Sequence, residues 1–429
     1  MQLPCTRVLV IGYVWPEPTS SAAGGHMMQI LEAFIEQGWQ VTFSSPAAAG
    51  EHTADLASLG IAQASITLND SSFDRFIDAL QPDIVLFDRF MMEEQFGWRV
   101  ERQCPNALRV LETCDFASLR DARQRLLKRH LKDSAEPDDC TALFAIEDED
   151  LYATMAEADT TLREIASIYR CDLSLMISDV ELQLLTQVFG VPATLLVWCP
   201  LMLEAPATAW APYTQREHFL SIGNFRHAPN WDAVLWMKTA VWPLIRARLP
   251  HAQLHLYGAY TPPKATALHN PSQGFLVLDR AEDALVVMGQ ARVALAPLRF
   301  GAGIKGKLAD AMLSGTPSVT TPIGSEGMHG DLPWPGAVAM SAQTLADAAV
   351  ALYQDPEAWQ QAQAWGLQVL AQRYAVAPHR AALVARVRAV REQLATHRRN
   401  NLTGTLLRHH HHKSTQYMAQ WIEAKNRLQ

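Results

Sequence analysis

Short apolar runs alternate along most of this chain with segments whose apolar residues recur at helical spacing. In the first half, the runs that predict strands lie at 7–13, 40–44, 83–87, 107–112, 173–177 and 194–198. Between the first two runs, residues 24–37 place Met27, Ile30, Leu31 and Phe34 at the spacing of one helix face. Strand, helix and strand in repeated alternation predict an α/β protein whose parallel sheets carry helices on both faces.

The alternation pauses at 203–215 and then starts again. Residues 203–215 contain two prolines and little periodicity, which is typical of a linker. A second series of strand and helix patterns follows to about residue 320, and from about 341 the pattern is helical, at 342–353, 356–373, 377–397 and 413–427. We therefore predict two doubly wound, Rossmann-like domains at 1–205 and 216–375, followed by a helical basic extension at 376–429. Ligands of such sheets bind where the carboxyl ends of the strands meet a cleft.

Composition excludes several other classes of protein. The net charge is 36 − 44 = −8, which argues against a protein that binds nucleic acid over a basic surface. The six cysteines are far apart and form no CxxC pair, so neither a disulfide framework nor a zinc site is indicated. No apolar run approaches the ~18 residues of a spanning helix. These features together predict a cytoplasmic protein.

Residues 120–165 differ from the rest of the first half in their charge. Six basic side chains lie within 120–132, and eight acidic ones follow within 133–150. We interpret this stretch as a solvated helix, a loop and a further helix, and the alternative is an insertion that binds a partner.

Two glycine-rich turns are candidates for ligand binding. Ser20–His26 follows the first strand and includes Gly24 and Gly25, which would let a ligand approach the backbone at the start of a helix. The second turn, GAGIKGKLADAM at 301–312, places Gly303, Lys305 and Lys307 at the start of another helix. Loop amides, helix dipole and lysines could together neutralise a diphosphate, and Asp310 could accept hydrogen bonds from ribose hydroxyls. A tight turn without a ligand, or lysines on a solvated helix face, remain the alternatives.

Several sequence segments, in this order along the chain, resemble those of the retaining, GT-B-fold glycosyltransferases of family 4, the "glycosyl transferases group 1" type. These are the first glycine turn, PDIVLFD (82–88), LETCDFASLRDAR (111–123), CDLSLMISDVE (171–181), SIGNFRHAPNWDAV (221–234) and GAGIKGKLADAM with SGTPSVTT and IGSEGM (301–328). The resemblance spans roughly residues 7–375. It implies a UDP- or GDP-sugar held mainly by the second domain, an acceptor held mainly by the first, retention of configuration, and no metal or other cofactor.

The chain departs from the family pattern at two places. The paired glutamates of the family, separated by seven residues, are replaced by Ala302 and Asp310, and the usual arginine after the "VGR" glycine is Asn224. We expect Arg226 or His227 to supply the missing positive charge. An alternative function is therefore a non-catalytic protein that binds a sugar nucleotide or acts as a scaffold.

The resemblance also implies roles for side chains at other strand ends. Ser325 and Glu326, in a second glycine loop, are expected to face the donor. Asp88 is expected to act with Lys305 and Arg226 at the reacting centre, and Asp115 to bind the acceptor, although either aspartate could instead cap a helix. Glu181 is expected to be a helix-start residue rather than a contact.

The C-terminal extension is basic although the chain as a whole is acidic. Residues 386–429 contain nine Lys or Arg and five His against two Glu, and four of the histidines form a run at 409–412. A helix that braces the first domain would explain the segment. The alternative is an anionic partner, since Tyr417 and Trp421 lie among cations on one helix face. The acceptor itself is left open among glycan, lipid-linked carrier, protein and RNA.

Overall fold

The structure is a computed structural model that describes residues 5–206 and 210–427, without the side chains of residues 411 and 412. Its strands are β1 Arg7–Ile11, β2 Gln40–Ser45, β3 Ala62–Ser65, β4 Ile84–Asp88, β5 Leu108–Glu112, β6 Leu173–Met176, β7 Leu196–Trp198, β8 His218–Ile222, β9 Leu254–Tyr257, β10 Phe275–Val277, β11 Ala291–Ala296, β12 Ser318–Thr320 and β13 Gly336–Val338. They form two sheets in which every pair of neighbouring strands is parallel. The predicted class is confirmed.

The helices are α1 Ala22–Ile35, α2 Ser72–Leu80, α3 Phe90–Gln103, α4 Ala117–Asp133, α5 Thr141–Phe144, α6 Asp148–Ala156, α7 Asp159–Arg170, α8 Asp179–Gln183, α9 Ala228–Trp236, α10 Trp242–Arg248, α11 Pro263–Thr266, α12 Ala284–Gln290, α13 Gly306–Leu313, α14 Pro322–Ser325, α15 Ala342–Gln354, α16 Pro356–Arg373, α17 Val376–Glu392, α18 Leu394–Arg399, α19 Leu402–Leu407 and α20 Lys413–Asn426. A π-helical turn, Arg408–His412, joins α19 to α20. None of the helices in the described part of the chain is long and apolar enough to cross a membrane.

The first sheet has the order β3-β2-β1-β4-β5-β6-β7, and the second has the order β10-β9-β8-β11-β12-β13. We call each sheet with its covering helices the first and the second domain. In both orders the direction of strand addition reverses beside the first strand of the domain, which is where a doubly wound sheet opens a crevice at its carboxyl ends. The central strands are apolar throughout: residues 8–11 of β1 are at most 1% exposed, because helices cover both faces of the sheet.

Two edge strands are missing from the prediction. β3 is mostly exposed, and β13 follows Pro335 and begins at Gly336, so neither has the apolar run that indicates a strand. Each forms because a neighbouring strand, β2 or β12, offers it unpaired backbone groups.

The predicted linker at 203–215 includes residues 207–209, which lie outside the described residues. On either side the chain is packed against the protein. The Leu203 amide donates to the Tyr374 carbonyl over 2.7 Å, and the indole N–H of Trp210 donates to the Leu313 carbonyl over 2.8 Å.

The C-terminal helices return to the first domain and brace it. The Arg380 guanidinium pairs with Glu32 and Glu36 of the α1 region, and Arg391 pairs with Asp83 at 2.7 Å. Farther along, Arg398 donates to both carboxylate oxygens of the buried Asp172, over 2.8 Å each. Much of the positive charge of the extension is therefore used inside the molecule.

The acidic stretch after α4 is a mostly exposed loop followed by further helices, as interpreted, but it is also anchored at a few residues. Residues 134–147, here called the strap, cross from the first domain to the second. Cys140 is fully buried in the core of the second domain, with Leu143 and Phe144 packed beside it. The Asp138 carboxylate accepts a 2.9 Å hydrogen bond from the Trp236 indole, and the Cys140 amide donates to the Met340 carbonyl over 2.9 Å.

Candidate functional site

The carboxyl ends of the two sheets face each other, and the second glycine turn lies between them. Gly303 has a φ of +63°, and a Cβ there would lie 2.8 Å from the Cβ of Asp115 in the first domain. A Cβ on Gly306, the first residue of α13, would lie 2.4 Å from the Cβ of Ala22, the first residue of α1. Only glycine fits at either position. As a result the N-terminal ends of α1 and α13, each carrying the positive end of a helix dipole, meet in the cleft.

In the first glycine turn, Gly24 packs closely against the preceding loop, whereas Gly25 leaves room for a ligand to approach the backbone. Ser21 caps α1, and its hydroxyl accepts a 3.1 Å hydrogen bond from the Gly24 amide. A Cβ on Gly24 would lie 2.6 Å from the Glu17 carbonyl oxygen, so this glycine is required by the fold itself. Gly25 has only the Pro18 carbonyl oxygen within 4 Å of such an atom, so its outer side is open.

Lys305 is buried, at 7% exposed, and its ammonium donates to the Gly303 carbonyl over 2.6 Å. Burial and the nearby Arg123 lower the pKa of Lys305 to about 8, although the carboxylates of Glu326 and Glu181 act in the opposite direction. Charges of both domains therefore act on the Lys305 ammonium.

Lys307 lies two residues after Lys305, in the first turn of α13, and is partly buried. Its ammonium donates to the Asn230 side-chain carbonyl over 2.7 Å and approaches Gly223 at the end of β8. Burial lowers the pKa of Lys307 to about 8. In the described part of the chain, no carboxylate lies within ion-pair distance of either lysine.

Other cations of both domains surround the same space. The charges of Arg120, Lys307, Arg89 and Lys305 act on His227, the residue that caps α9. Burial and these charges lower the pKa of His227 to about 4, so the imidazole is neutral at pH 7. Cations of both domains therefore lie close enough to His227 to act on its imidazole.

Arg226, one of the residues predicted to be catalytic, is exposed beside His227. Its guanidinium stacks over the Tyr260 ring, 4.5 Å from the ring centroid, and makes no ion pair within the described residues. The Tyr260 hydroxyl in turn donates to the Glu17 carboxylate over 3.3 Å, which ties this side of the cleft to the first glycine turn.

Asp310 lies on α13, one turn after Lys307. Burial, followed by the charge of Asp283, raises the pKa of Asp310 to about 7. Asp283 itself caps α12 by accepting the amides of Leu285 and Val286, at 2.8 and 3.2 Å. Within residues 5–206 and 210–427, no side chain hydrogen-bonds to the Asp310 carboxyl group, which the sequence analysis expects to bind a ribose.

Glu326 makes an ion pair between the domains. Both of its oxygens accept from the Arg123 guanidinium, at 2.6 and 2.7 Å, and Arg123 also donates to the Gly301 carbonyl over 3.0 Å. The Arg123 charge and hydrogen bonds hold the pKa of Glu326 below its ordinary value, in spite of burial. Ser325 is buried in the preceding turn, where its hydroxyl donates to Pro322 over 3.3 Å.

The two aspartates of the first domain are engaged within that domain. Asp88 accepts the Tyr13 amide over 3.0 Å and the Cys114 thiol over 3.2 Å, so it joins the loop after β1 to the end of β4. Asp115 forms an ion pair with Arg120 and lies against Gly303. The structure thus places both at the carboxyl edge of the first sheet.

Glu181 has a larger role than the expected helix start. It does lie in the first turn of α8, but one of its oxygens accepts the Gly303 amide over 2.6 Å and the Phe116 amide over 3.2 Å. The other oxygen is buried, and no group in the described part of the chain hydrogen-bonds to it. Burial raises the pKa of Glu181, and the two amide hydrogen bonds oppose the shift. Nothing in the local sequence shows this contact, because it joins residues 122 positions apart.

No group of three or more His, Cys, Asp or Glu side chains in the described residues is arranged to hold a metal ion. The prediction that the chain needs no metal remains a prediction.

Residues 216–355 match the family model described as "Glycosyl transferases group 1". A search of curated protein sequences found no match. Among solved structures, the chain is similar to a glycosyltransferase from Rickettsia africae, with a TM-score of 0.63 and 9% identity over 90% of this chain and 99% of that one. It is also similar to sucrose-phosphate synthase from Thermosynechococcus elongatus, with a TM-score of 0.61 and 13% identity over 91% and 100%.

A third similar structure is Anabaena Alr3699/HepE in complex with UDP and glucose, with a TM-score of 0.59 and 12% identity over 91% of this chain and 100% of that one. At these identities the similarity shows a shared fold. The chain therefore has the GT-B fold, and its second domain carries the segment that matches the glycosyl transferases group 1 model.

Proposed function

We propose that this protein transfers a glycosyl group from a UDP- or GDP-sugar to an acceptor hydroxyl in the cleft between its domains, with retention of configuration and without a metal. The GT-B fold and the family match over 216–355 support this proposal. Further support comes from the complex of Alr3699/HepE with UDP and glucose, a protein of the same fold.

One observation carries the proposal. Lys305 and Lys307 are ammonium groups in a desolvated cleft at the N-terminal end of α13, and neither has a carboxylate partner in the described chain, whereas Arg120 and Arg123 are both paired. A buried cation without a counter-ion is costly, and here both lysine pKa values are lowered accordingly. A diphosphate would supply the missing negative charge at a helix N-terminus, where anions bind readily.

Each predicted donor contact except Glu326 then has a direct role in the proposed complex. Lys305, Lys307 and the amides around Gly303 hold the diphosphate, with Arg226 at the open side of the cleft. Asp310 accepts hydrogen bonds from the ribose hydroxyls. Gly24 and Gly25 let the donor lie against the first domain, and Ser325 faces the sugar side from the second.

The reaction breaks the bond between the anomeric carbon and the β-phosphate oxygen and forms a bond from that carbon to the acceptor oxygen. Negative charge grows on the diphosphate as the first bond lengthens, so Lys305 and the helix dipole stabilise the transition state more than the ground state. The acceptor hydroxyl attacks from the face that the diphosphate leaves, which retains the configuration, and its proton passes to the departing diphosphate oxygen on that face. Asp115 binds the acceptor, and Asp88 keeps the loop after β1 in place at the reacting centre.

Donor binding also requires local exchange of contacts. The Gly303 amide is bonded to Glu181, and the Lys305 ammonium to the Gly303 carbonyl. We propose that Glu181 and the Arg123–Glu326 pair hold the glycine turn in place, and that the diphosphate takes the Lys305 ammonium from its backbone acceptor. Glu326 then acts through Arg123 and is not itself a sugar contact.

Thermal unfolding with a panel of UDP, GDP, ADP and the corresponding sugar nucleotides tests the proposal. A nucleotide present at about 100 times its dissociation constant should add about 2.7 kcal/mol of stability. The sugar nucleotide that stabilises the protein is then incubated with it without an added acceptor, and release of UDP or GDP is measured. Slow release indicates a transferase that hydrolyses its donor, whereas no release indicates a non-catalytic binding protein. Absence of stabilisation by every nucleotide in the panel would refute the proposed function.

A further inference from the structure

The last two helices of the chain leave one long face uncovered on the first domain. Large apolar side chains on this face are more than half exposed: Leu402 67%, Leu406 53%, Tyr417 65%, Met418 59% and Trp421 61%. On the opposite side, α19 is seated on α7 through Gly404, where a Cβ would lie 2.1 Å from the Tyr169 carbonyl oxygen. Ala419 is buried at the corresponding position of α20.

Helix geometry explains why these exposed residues form one stripe. Residues two positions apart on an α-helix lie roughly 200° apart around its axis, so they point to opposite sides. Leu402 and Leu406 each lie two positions from Gly404, and Tyr417 and Trp421 each lie two positions from Ala419. Both pairs therefore point away from the domain, and each pair is four residues apart and adjacent along the surface.

The charge around this stripe has a single sign. Lys413 and His410 are exposed beside it, and the Lys425 ammonium lies 5.4 Å from the centre of the Trp421 ring. Residues 394–427 contain one carboxylate, Glu423, which is turned inward toward Arg99 and pairs with Arg427. An apolar and aromatic stripe flanked by cations is the pattern of a helix that lies in the interface of an anionic membrane.

We propose that the outward face of α19 and α20 docks on an anionic lipid bilayer. Two other occupants fit less well. A second copy of the chain would bring Lys413 and Lys425 against the same cations of its partner across a two-fold axis. Nucleic acid would use the cations and aromatic rings, but Leu402, Leu406 and Met418 offer nothing to a base or a phosphate, whereas they suit acyl chains.

The surface lies on the domain that the proposed function assigns to the acceptor. Arg427, at the end of α20, reaches Ser71 beside the first turn of α2, which follows an edge strand of the first sheet. The docking proposal nevertheless stands without any assumption about catalysis, and its test requires no activity measurement.

The experiment is co-sedimentation of the full-length protein with phosphatidylcholine–phosphatidylglycerol vesicles and with pure phosphatidylcholine vesicles. We expect binding to the anionic vesicles that weakens as salt is raised. Tyr417→Ser with Trp421→Ser should lower the partition coefficient at least ~10-fold, because it removes both aromatic anchors. Lys413→Gln and Lys425→Gln should each lower it roughly fivefold, on anionic vesicles only.

Leu367→Ser provides the matched control. Leu367 is also an exposed apolar helix residue, 40% exposed, but it lies on α16, which packs against α13 and β13 of the second domain, and its replacement should leave vesicle binding unchanged. Unchanged melting temperatures would show that all variants fold. The proposal is overturned if the wild type ignores anionic vesicles at low salt, or if the double variant binds them equally well. It is also overturned if the double variant abolishes only a dimer or an RNA complex.

Discussion

Replacing Lys305 with methionine should affect stability and activity in opposite directions. Methionine keeps most of the apolar stem and removes the ammonium. In the folded protein the pKa of Lys305 is lowered from 10.5 to about 8, which corresponds to a cost of about 3 kcal/mol for keeping the group charged at pH 7. The variant also loses the hydrogen bond to the Gly303 carbonyl, worth about 1 kcal/mol. We therefore expect Lys305→Met to raise the free energy of unfolding by up to ~2 kcal/mol at pH 7.

The pH dependence of this gain has a definite sign. Because the folded pKa lies below the unfolded one, the cost of the charged lysine is complete below about pH 8 and disappears as the pH rises toward 10.5. The stability difference between Lys305→Met and the wild type should thus be largest near neutral pH and shrink in alkaline buffer. Taking the difference between the two proteins cancels the titration of the groups they share.

Turnover should fall sharply in the same variant. If the ammonium stabilises the departing diphosphate, its removal should cost roughly 3–4 kcal/mol in the transition state, or about 10²–10³ in kcat. The assay is release of the nucleoside diphosphate from the sugar nucleotide that gives the largest thermal shift. Lys238→Met serves as the control, because this lysine donates to Leu268 and Gln273 within the second domain.

Two results would contradict the reasoning. Turnover within threefold of the wild type would mean that Lys305 does not face the reacting diphosphate. A clear fall in melting temperature would mean that the ammonium stabilises the fold, so that lost activity could no longer be assigned to chemistry.

Three further predictions concern the contacts around the cleft. Glu326→Gln leaves the Arg123 guanidinium without its counter-charge and should lower the free energy of unfolding, measured in urea at pH 7, by roughly 2 kcal/mol. The difference should be smaller at acid pH, where wild-type Glu326 also becomes neutral. The control is Asp347→Asn, which breaks an exposed ion pair and should lower the free energy of unfolding by under about 0.5 kcal/mol. Phe144→Ala should cost roughly 1–2 kcal/mol and make the strap more susceptible to limited proteolysis, whereas unchanged cleavage would show that this ring does not anchor it. Because the pKa of Asp310 is about 7, the wild type should gain UDP affinity relative to Asp310→Asn between pH 6 and pH 8 as the carboxylate forms, as measured by calorimetry on both proteins. The comparison cancels the loss of lysine charge near pH 8, which the two proteins share, and equal pH profiles would exclude the ribose contact.

Much of the fold follows from local sequence patterns. The apolar runs locate the buried strands to within a few residues, because a strand covered on both faces must be apolar throughout. The glycine with left-handed φ after the first helix, Gly38 at +70°, is likewise visible as a helix terminator. The exposed edge strands β3 and β13 have no such signal, since they form through pairing with a neighbour rather than through burial of their own side chains.

The contacts between the domains could not be predicted from the sequence, for a different reason. Arg123 appears as one of six basic residues in a helix, and Glu181 as an acidic residue near a helix start. Both in fact contact the second glycine turn, at Gly301 and Gly303, over separations of 178 and 122 residues. No local pattern carries that information, because it depends on how one sheet faces the other.

The strap is the sharpest example of a composition signal that misled. Residues 133–150 carry eight carboxylates, which is typical of a solvated segment, and most of the strap is indeed exposed. Its attachment depends on the few apolar residues among the charges, Cys140, Leu143 and Phe144, which enter the core of the second domain. A short apolar cluster inside a charged loop can thus be the anchor of an interdomain connection.

The strap and the cleft contacts together constrain how the two domains can separate. Phe144 packs beside Leu298 and Ile323, near the turn that carries Glu326, while Glu326 pairs with Arg123 on α4, the helix from which the strap departs. Opening the cleft at the Arg123–Glu326 pair would therefore pull on a strap anchored close to the same turn.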